Sequence, residues 1–266
     1  MPGSDRDRAA LADRVAAVVR EAGVLASNHL ESPLERWTKG DGSPVSAADI
    51  AVDRLLRECL EQIAPDAAWL SEETEDDSAR LSSRLVWIVD PIDGTRAFVQ
   101  NLPDWSVSVA LVEDGRPVIG AVFAPAEQAF YLAVAGSGAT LNGKSISVSE
   151  GIRIERIAGP KRHVDRLAAL FPGIFAVPRV HSMALRLARV AEGRFDAAFT
   201  SGFSHDWDLA AADLLVHEAG GVLTTFDGRT LTFNRADPVH GPLVASAHAR
   251  HAGLVEQVRE RGIELG

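Results

Sequence analysis

The chain has 266 residues, 46 % of them hydrophobic and 24 % charged, with a formal net charge of −10; that is enough apolar material for a large core or two fused lobes. The acidic balance excludes a broad basic face for nucleic acid, and no apolar run approaches the roughly 18 residues of a membrane span. The single cysteine, Cys59, excludes internal disulfides and cysteine-based zinc sites; with an N-terminal MPGSDRDRAALADR that lacks a signal-peptide apolar stretch, it points to the cytoplasm.

Leu11, Val15, Val18, Val19, Ala22 and Leu25 recur at helical spacing, so residues 5 to about 30 are expected to form a long amphipathic helix. WTKGDGSPVS reads as a loop. A second helix should start at Ser46, whose hydroxyl can cap it, and run through Ile50, Leu55, Leu56, Leu60 and Ile63 to Pro65, with Cys59 as a small buried residue on it. The period then changes: DAAWLSEE, RLVWIVD, SVSVALV, RPVIGAVFA and AFYLAVA read as strands, with hairpin turns at EDGR and at Asn142-Gly143. Residues 1–150 thus read as two helices over a largely antiparallel sheet. From about 155 helices and strands alternate: helix DRLAALF, strand-like GIFAVPRV, helix SMALRLARVAEG, strand FDAAFT, helix WDLAAADLLVHEA stopped by Gly220 and Gly221, strands GVLTTF and PLVASA, and a last amphipathic helix. Residues 151–266 are therefore expected to form an α/β lobe packed as one unit with the first.

Three acidic clusters fall at the ends of these elements: SEETEDD after AWL, DPIDGT after RLVWIV, and HDWD at the head of a helix. Singly, each has a plain explanation as a solvated loop, a turn or a helix cap. Together they are harder to dismiss, because carboxylates delivered to the end of a buried strand repel one another unless a cation compensates. Oxygen ligands without cysteine or paired histidine favour Mg²⁺ over Zn²⁺. If the chain enters a helix at TRAFV, the free N–H groups of Gly94 and Thr95 face an anion. Carboxylates for metal beside amides for phosphate point to phosphoryl chemistry.

SEE at 71–73, DPIDGTRAF at 90–98 and WDLAAADLLVHEAGG at 207–221 resemble, in order and spacing, the inositol monophosphatase superfamily of Mg²⁺-dependent, lithium-sensitive phosphatases. The resemblance covers essentially the whole chain and implies an α+β fold, a layered αβαβα sandwich, and a homodimer. It makes Asp90 the bridge between two metals, with Glu72 and the Ile92 carbonyl on the first and Asp93 and Asp208 on the second. Glu72 would also reach a third Mg²⁺ through water, and Asp49 would accept a hydrogen bond from Thr95 so that Thr95 orients the attacking water. Asp93, Gly94, Thr95 and Asp208 would face the substrate phosphate.

KGDGSPVSAAD resembles the loop of 3'(2'),5'-bisphosphate nucleotidases and places Lys39 near the site. Where inositol monophosphatases carry a glutamate for inositol hydroxyls, this chain has Ser201. A nucleoside bisphosphate would need cations for its second phosphate, and Lys161, Arg162, Arg179 and His181 are the candidates; inositol 1-phosphate and histidinol phosphate are the other esters considered. A phospho-aspartate mechanism of the haloacid-dehalogenase type wants DxDx[TV], which DPIDGT does not match. A regulatory protein that keeps the fold is the non-enzymatic alternative; Glu72, Asp90, Asp93, Thr95 and Asp208, all present, argue for catalysis. The expected partner is a small phosphorylated metabolite, with neither nucleic acid nor membrane.

Overall fold

The structure, a computed structural model, describes residues 5–30, 36–38, 44–170 and 173–260. Lys39 and most of its loop lie outside them. Helix α1 (Asp5–His29) is followed by the short antiparallel pair β1 (Arg36–Thr38) and β2 (Pro44–Ser46), where the sequence suggested loop alone, and by α2 (Ala47–Ile63). A seven-stranded sheet comes next: β3 (Ala68–Ser71), β4 (Leu85–Asp93), β5 (Ser106–Glu113), β6 (Arg116–Ala124), β7 (Ala129–Val134), β8 (Gly138–Leu141) and β9 (Lys144–Ser145), with the four-residue helix α3 (Thr95–Phe98) at the end of β4. Its strands lie in chain order; β3 and β4 are parallel and the rest antiparallel. Asp114 and Gly115, like Asn142 and Gly143, take the positive φ that their tight turns require.

The second sheet is built from β10 (Arg156–Ala158), β11 (Phe175–Ala176), β12 (Ala197–Phe199), β14 (Gly221–Thr225) and β16 (Leu243–Ala247), interleaved with α4 (Lys161–Leu170), α5 (Met183–Ala191), α6 (Asp206–Glu218) and α7 (His248–Glu260). Its order, β11-β10-β12-β16-β14, is parallel on one side and antiparallel on the other, so helix–strand alternation did not give a uniformly parallel sheet. GIFAVPRV contributes two residues of strand, since Pro178 has no N–H for a ladder. A two-residue pair absent from the sequence reading, β13 (Ser204–His205) with β15 (Val239–His240), clamps the start of α6.

These elements stack in five layers. Helices α1 and α2 cover one face of the large sheet through Val15, Val19, Val52 and Leu56 against Trp87, Val89 and Phe123. Helices α5 and α6 fill the space between the two sheets, and α4 and α7 cover the far side of the smaller one through Val164, Leu167, Leu254 and Val258. The sequence of α6 explains its central place: DWDLAAADLLV is apolar on nearly every side beyond its first turn, and a helix of that kind is stable only when buried all round. It lies so close to β6 that a Cβ on Gly120 would sit 2.7 Å from the Ala211 carbonyl oxygen. Cys59, expected in the core, is half-buried on α2. No helix among the described residues is long and apolar enough to cross a membrane.

Candidate active site

The site begins with a break in register. Along β4, Asp90 pairs with Ser108 and Asp93 with Ser106, three steps on one strand against two on the other. In a regular strand residues three apart face opposite sides; the extra residue of this bulge reverses one alternation and turns both carboxylates to the same side. Pro91 fits the irregular step, where a missing N–H costs no ladder bond. The Ile92 N–H donates to Asp90 Oδ1 at 3.0 Å, which fixes the turn locally. Gly94 then bends the chain into α3 with φ 88°, and a Cβ there would lie 3.0 Å from the Ser182 nitrogen, so glycine is demanded by both angle and space.

Other elements bring the remaining groups to this corner. Asp93 accepts from the Ser182 hydroxyl at 2.6 Å and from the Met183 and Ala184 N–H groups at 3.0 and 2.6 Å, so it caps the start of α5 from across the molecule. Asp208 accepts from the His205 N–H at 2.6 Å in the first turn of α6. Oxygens of Asp90, Asp93 and Asp208 all lie within 4.8 Å of one another. Glu72 follows β3, its N–H bound to the Val89 carbonyl at 3.3 Å beside Asp90, and its charge acts on Asp90, Asp49 and Asp208. Ser46 stands at the N-cap of α2 in a capping box with Asp49, whose carboxylate accepts from both the amide and the hydroxyl of Ser46, at 2.8 and 2.6 Å. The Thr95 hydroxyl lies 3.0 Å from the Ile92 carbonyl and 3.4 Å from Asp49 Oδ1.

The electrostatics follow from burial. Desolvation pushes Asp90 and Asp208 well above the usual carboxylate range, and their mutual charges with Glu72 and Asp93 push further. Burial lifts Asp93 to about 6 despite its three donors, and Asp49 to about 6 despite Ser46. A pocket whose carboxylates resist ionisation, with oxygen donors alone, suits a hard divalent cation that would take the place of those protons. The residues present fit Mg²⁺.

Beside the corner lies a cavity of about 550 Å³. It opens at Met183, the residue whose N–H holds Asp93, and Lys161, Arg179, Arg186 and Ser201 line it. Arg186 is buried, its guanidinium held by the Val180 carbonyl at 2.7 Å, and burial lowers its pKa while the charges of Asp93 and Asp208 oppose that. Lys161 pairs with Asp165 at 2.6 Å. Two expected cations fall elsewhere. Arg162, one residue around α4 from Lys161, points away from the cavity to 3.2 Å from His163, as the 100° step of a helix requires. The ring of His181 bonds Asp104 at 2.7 Å, next to the corner but outside the cavity lining. Sequence reading also passed over Arg186, Ser182 and Asp53, which accepts from Thr74 at 2.8 Å and from Ser71 beside Glu72. Asp53 could have been found, since it repeats Asp49 one turn later; nothing in an amphipathic stretch singled out Arg186.

The model of the inositol monophosphatase family matches residues 7–262. The histidinol-phosphatase of Mycobacterium tuberculosis is 37 % identical over 238 residues, 84 % of this chain and 86 % of that one. The Nus factor SuhB of Escherichia coli K12 is 30 % identical over 222 residues, 79 % of this chain and 82 % of that one. Among solved structures, the Thermotoga maritima IMPase superposes with a TM-score of 0.81 at 30 % identity, covering 96 % of this chain and 98 % of its own.

Proposed function

The chain belongs to the inositol monophosphatase family, and on that footing we propose that it is a Mg²⁺-dependent phosphomonoesterase whose substrate carries a second anionic group, best met by a 3'(2'),5'-bisphosphonucleoside. Asp90, Asp93, Asp208, Glu72 and the Ile92 carbonyl would hold two or three Mg²⁺ ions. Bound there, Mg²⁺ supplies Lewis-acid stabilisation of the phosphoryl and leaving oxygens and renders a water acidic enough to attack phosphorus. The chain's own part is positioning. Ser46 fixes one oxygen of Asp49 and leaves the other toward Thr95. A Thr95 hydroxyl that donates a hydrogen bond to the Asp49 carboxylate or to the Ile92 carbonyl turns its lone pairs to a water and orients it. The backbone of Gly94 and Thr95 faces the phosphate in this reading, and catalysis needs no covalent intermediate.

The observation that carries the substrate class is the cavity at Met183, with Arg179 and buried Arg186 on its wall and Ser201 where the family's inositol-reading glutamate would stand. Guanidinium groups there favour a second phosphate. The histidinol-phosphatase relative favours a different ester, but histidinol phosphate carries cationic groups that would meet two arginines as like charges. Mg²⁺-dependent phosphate release tests the choice: adenosine 3',5'-bisphosphate is expected to give a kcat/KM about 10-fold or more above inositol 1-phosphate and histidinol phosphate, from one charge-assisted contact to the second phosphate. The reverse ranking overturns the substrate assignment, and no turnover of any ester favours the regulatory alternative.

A further inference from the structure

Arg80 is 2 % exposed, and a guanidinium taken out of water is tolerated only when its N–H groups are satisfied. Its Nε and Nη2 bind the two oxygens of Asp76 at 2.6 and 2.8 Å, while Nη1 reaches Asn234 Oδ1 at 2.7 Å and the Arg235 carbonyl at 3.0 Å. Asn234 answers with its own Nδ2, which donates to the Arg80 carbonyl at 3.1 Å. Its backbone stands in the left-handed region at φ 57°, which asparagine adopts more readily than other non-glycine residues. In that pose the Asn234 N–H donates to Asp206 Oδ2 at 2.8 Å, and His240 Nε2 lies 2.7 Å from the other oxygen of the same carboxylate. Asp206, which has no exposed surface, is the first residue of α6.

Both ends of this chain of contacts lie one short step from the carboxylate corner. Asp76 follows Glu72 by four residues in the same segment, and Asp206 precedes Asp208 by two in the first turn of the same helix. Glu72 and Asp208 arrive from segments far apart in sequence, and nothing in either segment alone sets the distance between them. We propose that Arg80 is a positioning residue which, through Asn234, ties the Glu72 segment to the head of α6 and so fixes the separation of Glu72 and Asp208 for Mg²⁺. The assignment rests on the reading of the corner as a Mg²⁺ site. Arg80 touches neither carboxylate; it acts by removing freedom from the two segments that carry them. Groups bonded directly to metal ligands set metal affinity by fixing their orientation, and Arg80 would act one step farther back, through the segments that carry the ligands.

A fold-stapling arginine would also lower stability when removed, so the test needs a comparison. Arg250 supplies it: also buried, it bonds the carbonyls of Ser149, Glu150 and Gly151, in a contact unconnected to the corner. Full-length wild type, Arg80→Ala, Arg80→Lys, Asn234→Ala and Arg250→Ala are titrated with Mg²⁺ alone by calorimetry, alongside Tm and the Mg²⁺ dependence of phosphate release. Arg80→Ala and Asn234→Ala are expected to bind Mg²⁺ about 10-fold more weakly, and to need correspondingly more Mg²⁺ for half-maximal rate, with substrate KM at saturating Mg²⁺ unchanged. Arg80→Lys falls between, and Arg250→Ala loses Tm without the Mg²⁺ shift. If Arg80→Ala fails to fold, Asn234→Ala decides, since it cuts the joint and leaves the Arg80–Asp76 pair intact. Equal Mg²⁺ affinity in wild type and Asn234→Ala, or an equal loss in Arg250→Ala, overturns the inference. Wild type that binds no Mg²⁺ overturns the metal reading and this inference together.

Discussion

The carboxylate corner and the cavity next to it are built in opposite ways. Residues 85–95 bring two carboxylates to the corner within one contiguous stretch of strand and glycine turn, and the register of that strand against β5 sets where they point. The cavity wall is drawn from residues 159–165, 176–179, 183–186 and 201, four separate segments brought together by the packing of α4 and α5. The boundary between the two is a single turn of helix: Met183 gives its N–H to Asp93 on one side and its side chain to the cavity on the other. Two of the corner's carboxylates thus sit in one short motif, whereas the residues that line the cavity belong to none.

Substitutions on the two sides should separate accordingly. The largest effect belongs to the corner. Asp93→Asn is expected to lower kcat by about 100-fold or more, because the lost charge matters most where charge develops in the transition state. It also turns an oxygen that accepts from Ser182 and α5 into a donor facing donors, at a cost of about 1–3 kcal/mol in stability. Near-normal kcat in a folded Asp93→Asn protein would break the contrast outright. On the cavity side, Arg179→Ala should leave kcat and Tm close to wild type and raise KM for a bisphosphorylated substrate about 10-fold, the value of one charge-assisted hydrogen bond. Steady-state kinetics that show a fall in kcat with constant KM would move Arg179 out of substrate binding.

An effect on stability alone, with none expected on catalysis, lies farther off, under the second sheet. His251 is buried between the Thr224 and Ser246 hydroxyls at 2.7 and 3.0 Å, and burial pushes its pKa down to about 4. A histidine in the unfolded chain titrates near 6.5, so between those values the unfolded state binds more protons than the folded one. The His251 contribution to stability is therefore complete above about pH 6.5 and falls away as the pH drops toward 4, by on the order of 2–3 kcal/mol. Urea midpoints from pH 7 to 4, compared with those of His251→Gln, should show a steeper acid loss in the wild type. Parallel profiles would remove His251 as the cause.

Much of the fold was legible because its signals are short-range. Helical spacing marked α1, α2, α5 and α6, alternation and turn residues marked β5 to β8, and the placement of carboxylates at strand and helix ends drew attention to Asp90, Asp93 and Asp208. What escaped was set by pairing between distant segments. The bulge between Asp90 and Asp93 exists only against β5, β13 only against β15, and the mixed direction of the second sheet only through β16.

From sequence alone the longer elements, the family and the residue types that gather at the corner were already set, because periodicity, capping and turn chemistry act over a few residues. Tertiary structure alone decided that Arg186 faces a cavity while Arg162 does not, that Asp93 caps a helix 90 positions away, and that Arg80 reaches Asn234 across 154. Those outcomes depend on which surfaces bury one another, and burial is a property of the packed molecule that no local stretch of chain contains.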